Sequence, residues 1–278
     1  MEGKGAGRSL RTRDSTVAAR VDLIADSSRI ELWCTYISDI GDAGLWPRYE
    51  ALLSCAERTK QARFRFAKDR RRYLVTRVLA RTVLSRYQAV RPEEWVFSEG
   101  PRGRPEIAAP LLEPRLEFNI AHSADLVMLG VTSGRALGVD AESLTMRDVD
   151  IAGLDRYFAA EESAALLALP ARARRRRFFE LWTLKESYIK ARGMGLAIAL
   201  DAFRFELAGD RGLTFHVRPE LADSPQRWRL WQLAPRPDYL AAVCAARGAE
   251  AAPRIIVREI VPLASEKTLE IVPSRSTG

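Results

Sequence analysis

The chain has 278 residues, of which 47% are hydrophobic and 29% charged, and its formal net charge at pH 7 is +8. This length is enough for one large domain or two small ones with substantial cores. No run of 18 apolar residues occurs, which argues against a membrane span, and three widely spaced cysteines argue against a zinc site or disulfide framework and fit a cytoplasmic protein.

The positive charge has two interpretations. A basic chain attracts nucleic acids as well as acidic proteins. However, we find no zinc-finger spacing, no RNP-like aromatic strand and no evident recognition helix. Most of the positive charge is arginine, which often reflects genome composition rather than function. Nucleic-acid binding is therefore the weaker of the two interpretations.

The chain begins with a segment, residues 1–27, that is rich in Arg, Gly and Ser and has no apolar core. We predict a mobile tail there and no export signal. Residues 28–135 follow as an N-terminal half, 136–250 as a C-terminal half, and 251–278 as a C-terminal extension.

Hydrophobic periods predict strands and helices along both halves. The predicted strands are residues 30–37, 95–97, 116–120, 127–132, 136–140, 203–207, 214–217, 228–233 and 239–244, and the run R-I-I-V-R-E-I-V after residue 250 is strand-like. The predicted helices are residues 45–53, 58–67, 70–87, 151–157, 160–169 and 174–192.

Two acidic residues end one of these strands, in the segment G-V-D-A-E. Because strand side chains alternate between faces, Asp140 and Glu142 point the same way. Such a pair is often only a solvated strand end.

A second segment, F-F-E-L-W-T-L-K-E-S-Y-I-K, lies about 40 residues further on. Trp182, Glu186 and Lys190 are spaced i, i+4, i+8 and share one helix face. Alone, this pattern indicates an exposed face with an ion pair worth a few tenths of a kcal/mol. Together, three carboxylates with lysines alongside predict a site for Mg²⁺ and a pyrophosphate.

At this point the chain resembles a known family, the 4′-phosphopantetheinyl transferases of the surfactin-synthetase-activating type. The resemblance is carried by a series of motifs in order, from about residue 50 to 205. They are G-R-P (103–105), F-N-I-A-H-S (118–123), G-V-D-A-E (138–142), Tyr157-Phe158 with Glu162, and W-T-L-K-E-S-Y-I-K-A (182–191).

The resemblance implies an α+β fold, a pseudo-dimer of two similar halves, each a helix packed on a small antiparallel sheet. The cofactor cleft lies between the halves. This length is similar to that of the family's fused pseudo-dimers, which implies a monomer.

The resemblance also implies site residues and an activity. Mg²⁺ is expected on Asp140, Glu142 and Glu186, and catalysis by Lys190 and by Glu186 or a metal-bound water beside it. Coenzyme A is expected to bind the residues Arg72, Arg104, His122, Ser123, Lys185 and Lys190.

Two positions depart from the family pattern. Ala121 stands where the family usually has serine, and Arg104 replaces a lysine.

One arginine of the Lys68–Arg77 region is expected to hold the 3′-phosphate of coenzyme A, and Glu162 is expected to pair with a nearby arginine.

The implied reaction transfers the 4′-phosphopantetheine arm of coenzyme A to a serine of an apo carrier protein and releases 3′,5′-ADP. The implied partners are acidic carrier proteins, with no specific nucleic acid and no membrane. The alternatives are a catalytically silent relative that binds coenzyme A or carriers and, less favoured, a nucleic-acid-binding protein.

Overall fold

A computed structural model describes residues 27–100, 102–111, 113–145, 158–195, 198–249 and 251–278. All but the last residue of the predicted tail, and the predicted helix over 151–157, lie outside these ranges. No helix within them is both long enough and apolar enough to cross a membrane.

The described strands and helices follow the chain in this order. The strands are β1 (Arg29–Tyr36), β2 (Val96–Glu99), β3 (Pro105–Ala109), β4 (Leu116–Ser123), β5 (Leu126–Ser133), β6 (Leu137–Ser143), β7 (Phe203–Glu206), β8 (Thr214–Val217), β9 (Trp228–Leu233), β10 (Tyr239–Ala246), β11 (Arg254–Val261), β12 (Ser265–Leu269) and β13 (Arg275–Ser276). The helices are α1 (Leu45–Leu52), α2 (Cys55–Ala62), α3 (Ala67–Leu84), α4 (Ala160–Leu167) and α5 (Ala171–Arg192).

The predicted elements within the described residues are confirmed, with shifted ends. Helix α2 begins earlier than predicted because Ser54 and Glu57 form a capping box: the Ser54 hydroxyl accepts a 3.2 Å bond from the Glu57 amide, and the Glu57 carboxylate accepts a 2.9 Å bond from the Ser54 amide. Strand β6 runs beyond Asp140, the predicted last residue, through Glu142 to Ser143. Strands β3, β12 and β13 were not predicted.

The strands form two main sheets and two hairpins. The first sheet has the order β12-β11-β1-β5-β4 and the second β13-β9-β10-β6, while β2-β3 and β7-β8 are separate pairs. Strand β1 pairs with β11 in parallel, and its other neighbour β5 is antiparallel.

The sheets pack face to face because their strands are apolar on both sides. In β1, Trp33 points to a core shared with α1 and α3, whereas Leu32 points between the sheets. In β10, Leu240 and Ala242 point to a core shared with α5, whereas Val243 points between the sheets. The order of layers is helix, sheet, sheet, helix, which confirms the α+β class and is consistent with a pseudo-dimer.

The C-terminal segment contributes to both sheets. Its strands β11 and β12 complete the first sheet, and β13 pairs with β9 of the second. The side chain of Val257 in β11 is buried between the sheets. The strands of residues 251–278 therefore form an integral part of both sheets.

Edge strands β4 and β6 meet where the two sheets join. They are linked by side chains: the Val139 amide donates a 2.8 Å bond to Oδ1 of Asn119, and the Ser143 amide donates a 3.0 Å bond to Oγ of Ser123. This seam brings two predicted motifs, one from each half, next to each other.

Candidate active site

The site depends on a close approach of helix α5 to strand β6 at Gly138. A Cβ atom on Gly138 would lie 2.0 Å from the carbonyl oxygen of Ser187 and 2.3 Å from the amide nitrogen of Ala191. No larger residue fits between these backbones without moving one of them. The glycine therefore sets how near α5 lies to the acidic residues of β6.

Asp140 and Glu142 lie in β6 on the same side as Gly138, the side that faces α5, as the two-residue strand period requires. From α5, the Nζ of Lys190 reaches Oδ1 of Asp140 at 2.7 Å. Glu186, one turn earlier on the same helix face, is close enough to Asp140 for their charges to repel each other. The two predicted segments thus meet in the structure.

Three carboxyl groups share this region with one ammonium group. Burial raises the pKa of Asp140, although Lys190 opposes this effect. Burial and the charge of Asp140 raise the pKa of Glu142 to about 7, and the same two causes raise the pKa of Glu186. Oδ2 of Asp140 is buried and has no hydrogen-bond partner. These groups are short of positive charge.

The side chains as they stand do not surround a common point. Among the described residues, no three Asp, Glu, His or Cys side chains have the arrangement of metal ligands. The chemistry of the donor set nevertheless fits a hard divalent cation, because all three groups supply carboxylate oxygens. The oxygen of Asp140 that has no hydrogen-bond partner is free to bind such a cation.

Ser123 holds Glu142 from the opposite half. Its hydroxyl donates a 2.7 Å hydrogen bond to Oε2 of Glu142, and Trp182 of α5 also hydrogen-bonds this carboxylate. The Ser123 hydroxyl also accepts the Ser143 amide at the seam. The described contacts of this serine therefore orient a predicted metal ligand, and its predicted contact with coenzyme A stays a prediction.

A cleft lies between the halves and consists of two adjoining cavities of about 280 Å³ each. Both are lined by Gly103, Pro105 and Ile120. The first is further lined by residues of the N-terminal half, namely Lys60, Phe64, Asp69, Arg72, Tyr73, Thr76, Arg77, Glu99 and His122. The second is further lined by Arg102, Arg104, Asn119, Glu186, Ile189, Lys190, Gly193 and Gly195.

His122 and Arg72 form the basic wall of the first cavity. Desolvation in the cleft and the nearby charge of Arg72 lower the pKa of His122, while Asp69 opposes them. Arg72 itself pairs with Asp69 at 2.8 Å. A phosphate group entering this cavity would meet the guanidinium of Arg72 and the imidazole of His122. Its negative charge would favour the protonated form of the imidazole.

The structure separates the arginines of the Lys68–Arg77 region. Arg72 and Arg77 line the cleft, whereas Arg70 and Arg71 line another cavity of about 440 Å³, which none of the predicted site residues lines. Arg77 is already paired with buried Glu57 at 2.9 Å. Arg72 is also paired, with Asp69, but its side chain is 33% exposed against 12% for Arg77, so Arg72 is the better placed of the two for a phosphate.

Lys185 is not in the cleft, and its prediction as a coenzyme A ligand needs correction. Its ammonium is fully buried, lies 2.8 Å from Glu162, and donates 2.8 Å bonds to the carbonyls of Leu200 and Phe203. Adjacent helix residues point about 100° apart, so Lys185 cannot share the face of Glu186. With three partners in the core, it is unavailable to a phosphate.

The same contact corrects the expected partner of Glu162. This glutamate pairs with a lysine instead of an arginine. Its carboxylate also accepts the amides of Ala159 and Phe205, at 2.9 and 2.8 Å. Its role is structural, as expected, because it joins the start of α4 to α5 and β7.

Arg104 lies at the cleft but is already engaged. Nη1 donates to the carbonyl of Lys190 at 2.9 Å, and Nη2 donates to the carbonyls of Phe118 and Leu137, each at 3.2 Å. Burial lowers the pKa of Arg104. The predicted phosphate contact would compete with these bonds.

Several cleft residues are not among the predicted site residues, and Lys60 and Thr76 are two polar examples. Lys60 of α2 lines the first cavity and pairs with Glu99. Thr76 lies one helical turn after Arg72 and lines the same cavity. The i, i+4 spacing from Arg72 could have identified Thr76. No sequence pattern indicates Lys60, because its place in the cavity depends on how α2 packs against the rest of the chain.

Comparisons with known proteins identify the family of this chain. A family model described as the 4′-phosphopantetheinyl transferase superfamily matches residues 136–244, and one described as 4′-phosphopantetheinyl transferase, N-terminal, matches residues 44–133. The 4′-phosphopantetheinyl transferase Sfp of Bacillus subtilis strain 168 is 35% identical over 199 residues, which cover 72% of this chain and 84% of Sfp. The chain belongs to the 4′-phosphopantetheinyl transferases.

Other members are similarly related. The 4′-phosphopantetheinyl transferase psf-1 of Bacillus pumilus is 32% identical over 72% of this chain and 81% of its own length. HetI of a Nostoc species, also a 4′-phosphopantetheinyl transferase, is 32% identical over 70% of this chain and 79% of its own length. The crystal structure of Thermotoga maritima holo-[acyl-carrier-protein] synthase aligns with 50% of this chain and 86% of that chain, with 15% identity and a TM-score of 0.33.

Proposed function

We propose that this 4′-phosphopantetheinyl transferase uses Mg²⁺ to transfer the phosphopantetheine arm of coenzyme A to a serine of an apo carrier protein, with release of 3′,5′-ADP. The observation that carries the proposal is the junction of β6 and α5. There Glu186 and Lys190 line one cavity of the cleft, Lys190 pairs with Asp140 next to Glu142, and the adjoining cavity is lined by Arg72 and His122. Family membership supplies the reaction class.

Asp140, Glu142 and Glu186 are the residues that would hold Mg²⁺. The pKa values of these carboxyl groups are raised, and Oδ2 of Asp140 has no hydrogen-bond partner. Both features are expected of clustered carboxyl groups whose negative charge is not offset by a cation. When bound, the ion would neutralise the pyrophosphate oxygens and orient them.

Lys190 supplies the positive charge that this chain itself brings to the reacting phosphate. Phosphoryl transfer needs positioning and neutralisation of charge more than covalent participation by the enzyme. An ammonium beside the leaving phosphate serves both needs, and it can also give that phosphate a proton. Its present partner, Asp140, keeps it at the edge of the cleft.

Glu186 is the candidate proton acceptor. It lines the second cavity next to Lys190, so a serine hydroxyl placed there can lose its proton to this carboxylate directly or through a water molecule. Because bound Mg²⁺ would make this carboxylate a weak base, we favour the route through a water molecule.

The basic wall is the proposed place of the 3′-phosphate of coenzyme A. Arg72 offers a guanidinium, and His122 offers an imidazole that a phosphate would help to protonate. Thr76 lies in the same cavity and adds a hydroxyl. This divides the cofactor between the halves, with its 3′-phosphate on the N-terminal half and its pyrophosphate near α5.

The partner is proposed to be an acidic carrier protein, steered by the net charge of +8. Both halves of the cleft belong to one chain, which fits a protein that works as a monomer. A cytoplasmic location fits its carrier substrates.

The test is incubation of the purified chain with coenzyme A, Mg²⁺ and apo carriers of the fatty-acid, polyketide and peptide types. Transfer should add roughly 340 Da to the carrier, the mass of the arm left on its serine. Chelation should abolish the reaction and leave the fold intact. Asp140→Asn should do the same, while the matched control Asp201→Asn, at an exposed site, should not.

Two results would contradict the proposal. A carrier of unchanged mass in every case would remove the transfer reaction. Full activity of Asp140→Asn at saturating Mg²⁺, or full activity after chelation, would remove the metal site while leaving the family assignment in place.

A further inference from the structure

Arg104 occupies a fixed position at the end of a hairpin turn between β2 and β3. The amide of Gly100 donates a 2.8 Å bond to the carbonyl of Arg104, and Gly103, with φ of 75°, closes the turn. The backbone at Arg104 is thus held before its side chain makes any contact.

The side chain then reaches three separate elements. Its guanidinium donates to backbone carbonyls of β4, β6 and α5, on Phe118, Leu137 and Lys190. These are parts of both halves. The carboxylate of Glu117 lies 4.0 Å from Nη2 of Arg104, so carbonyl groups and not a close counter-ion hold the guanidinium.

Two of the three carbonyls lie where backbone acceptors lack regular partners. Those of Phe118 and Leu137 are on the edge strands that meet at the seam, where side chains replace a backbone ladder. That of Lys190 is in the last turn of α5, where it also accepts a 3.1 Å bond from the amide of Gly193 and where a positive charge is favourable.

A lysine could not make the same set of bonds. The guanidinium is planar and carries donors in a rigid fork, whereas an ammonium is a single charge point on a flexible stem. Arginine is therefore suited to tie three backbones together.

We propose that Arg104 is a positioning residue: it fixes the last turn of α5, and with it Lys190, against the N-terminal half, and is not a phosphate ligand. This rests on the proposed function, because Lys190 is the group it positions. Arg104 contacts the backbone carbonyl of Lys190, and the side chain of Lys190 contacts Asp140.

The experiment compares Arg104→Met, Arg104→Lys and the control Arg115→Met. Arg115 suits as a control because it also lies near Glu117 but is 68% exposed at its side chain. For each variant we would measure kcat at saturating coenzyme A, and the Kd for coenzyme A and for its 3′-dephospho form by calorimetry.

We expect Arg104→Met to lower kcat about 10–100-fold, because a displacement near 1 Å is enough for such a loss. Its Kd for either cofactor form should change by less than about threefold. Arg104→Lys should fall between Arg104→Met and the wild type, and Arg115→Met should match the wild type.

A double-mutant cycle provides the decisive readout. If Arg104 acts through Lys190, then adding Arg104→Met to Lys190→Met should change the residual rate by less than about twofold, since coupled residues are not additive. A phosphate ligand would instead weaken cofactor binding equally in both backgrounds. Arg104→Lys serves the same cycle if Arg104→Met does not fold.

Two outcomes would overturn the inference. One is a large rise in the Kd for coenzyme A with unchanged kcat in Arg104→Met. The other is full additivity in the cycle. A wild-type chain that transfers no arm to any carrier would instead remove the proposed function, so the two failures are distinguishable.

Discussion

The Nζ of Lys190 lies 2.7 Å from Oδ1 of Asp140, and this contact joins the last turns of α5 to the middle of β6. Burial raises the pKa of Asp140, and the ammonium of Lys190 opposes this rise. The other oxygen of Asp140 has no partner. The pair therefore leaves half of the carboxylate available to a second cation.

Lys190→Met should depress kcat more than cofactor affinity, by about 10²–10³-fold, the usual effect of removing one group that stabilises developing charge. It should also move the acidic limb of the pH–rate profile to higher pH. The reason is that Lys190 lowers the pKa of Asp140, Glu142 and Glu186, so their ionisation needs a higher pH without it. The measurement is kcat as a function of pH.

Lys190→Arg is the matched control, because it keeps the positive charge. Its acidic limb should stay near that of the wild type even if its rate falls. If the limbs of the two variants coincide, the ammonium does not control these carboxyl groups.

Arg72 and His122 give a prediction that needs no turnover. Desolvation and the charge of Arg72 hold the pKa of His122 below its usual 6.5. Arg72→Met should therefore raise it, and coenzyme A should raise it in the wild type, since a phosphate favours the imidazolium. Proton NMR titration can follow this in a chain with two histidines, and His122→Ala assigns the signal.

The sign of the linked stability follows from the lowered pKa. The folded state binds fewer protons at His122 than the unfolded state does, so this group destabilises the fold as pH falls through about 6.5. Arg72→Met should weaken that acid sensitivity. An unchanged titration of His122 in Arg72→Met would show that the two side chains do not interact.

Gly138→Ala tests the close approach of α5 to β6. The added Cβ would lie 2.0 Å from the Ser187 carbonyl, so the helix must move away from the strand. We expect a loss of about 1–3 kcal/mol in the free energy of unfolding, the usual range for overpacking, and a fall in kcat because Lys190 moves with the helix.

Gly41→Ala is the control, since a Cβ there meets nothing within 4 Å. Denaturant unfolding and carrier mass measurements would compare the two variants. Wild-type activity in a folded Gly138→Ala protein would mean that the helix position does not govern the site.

Local periods in the sequence predicted which side chains share a face at the junction of β6 and α5. The strand period places Asp140 and Glu142 on one face, and the helix period places Glu186 and Lys190 on one face. Because each face is fixed by local periodicity, only the packing of α5 against β6 had to come from the tertiary structure. The same local reasoning should have excluded Lys185, which is one residue before Glu186.

Contacts between distant parts of the chain could not be predicted in this way. Strand β11 pairs with β1 across more than 200 residues, and no local pattern specifies that partner. The role of Arg104 depends on three backbone carbonyls from three elements, which carry no side-chain signal in the sequence. Such contacts require the tertiary structure.

The buried pair of Lys185 and Glu162 separates stability from catalysis. Burial lowers the pKa of this lysine and raises that of this glutamate, so each needs the other to stay charged. Lys185→Met should cost about 3–5 kcal/mol of unfolding free energy, because it leaves a buried carboxylate without its cation.

A double variant, Lys185→Met with Glu162→Gln, should recover much of this loss. Removal of both charges ends the penalty, and the glutamine oxygen can still accept a backbone amide that Glu162 now holds. In this variant the Kd for coenzyme A, measured by calorimetry, should stay within about twofold of the wild type, since neither residue lines the cleft cavities. Arg72→Met, in the same assay, should weaken binding by about tenfold, the loss of one charged hydrogen bond to phosphate. A well-folded double variant with the same tenfold loss of affinity would show that Lys185 contacts the cofactor after all.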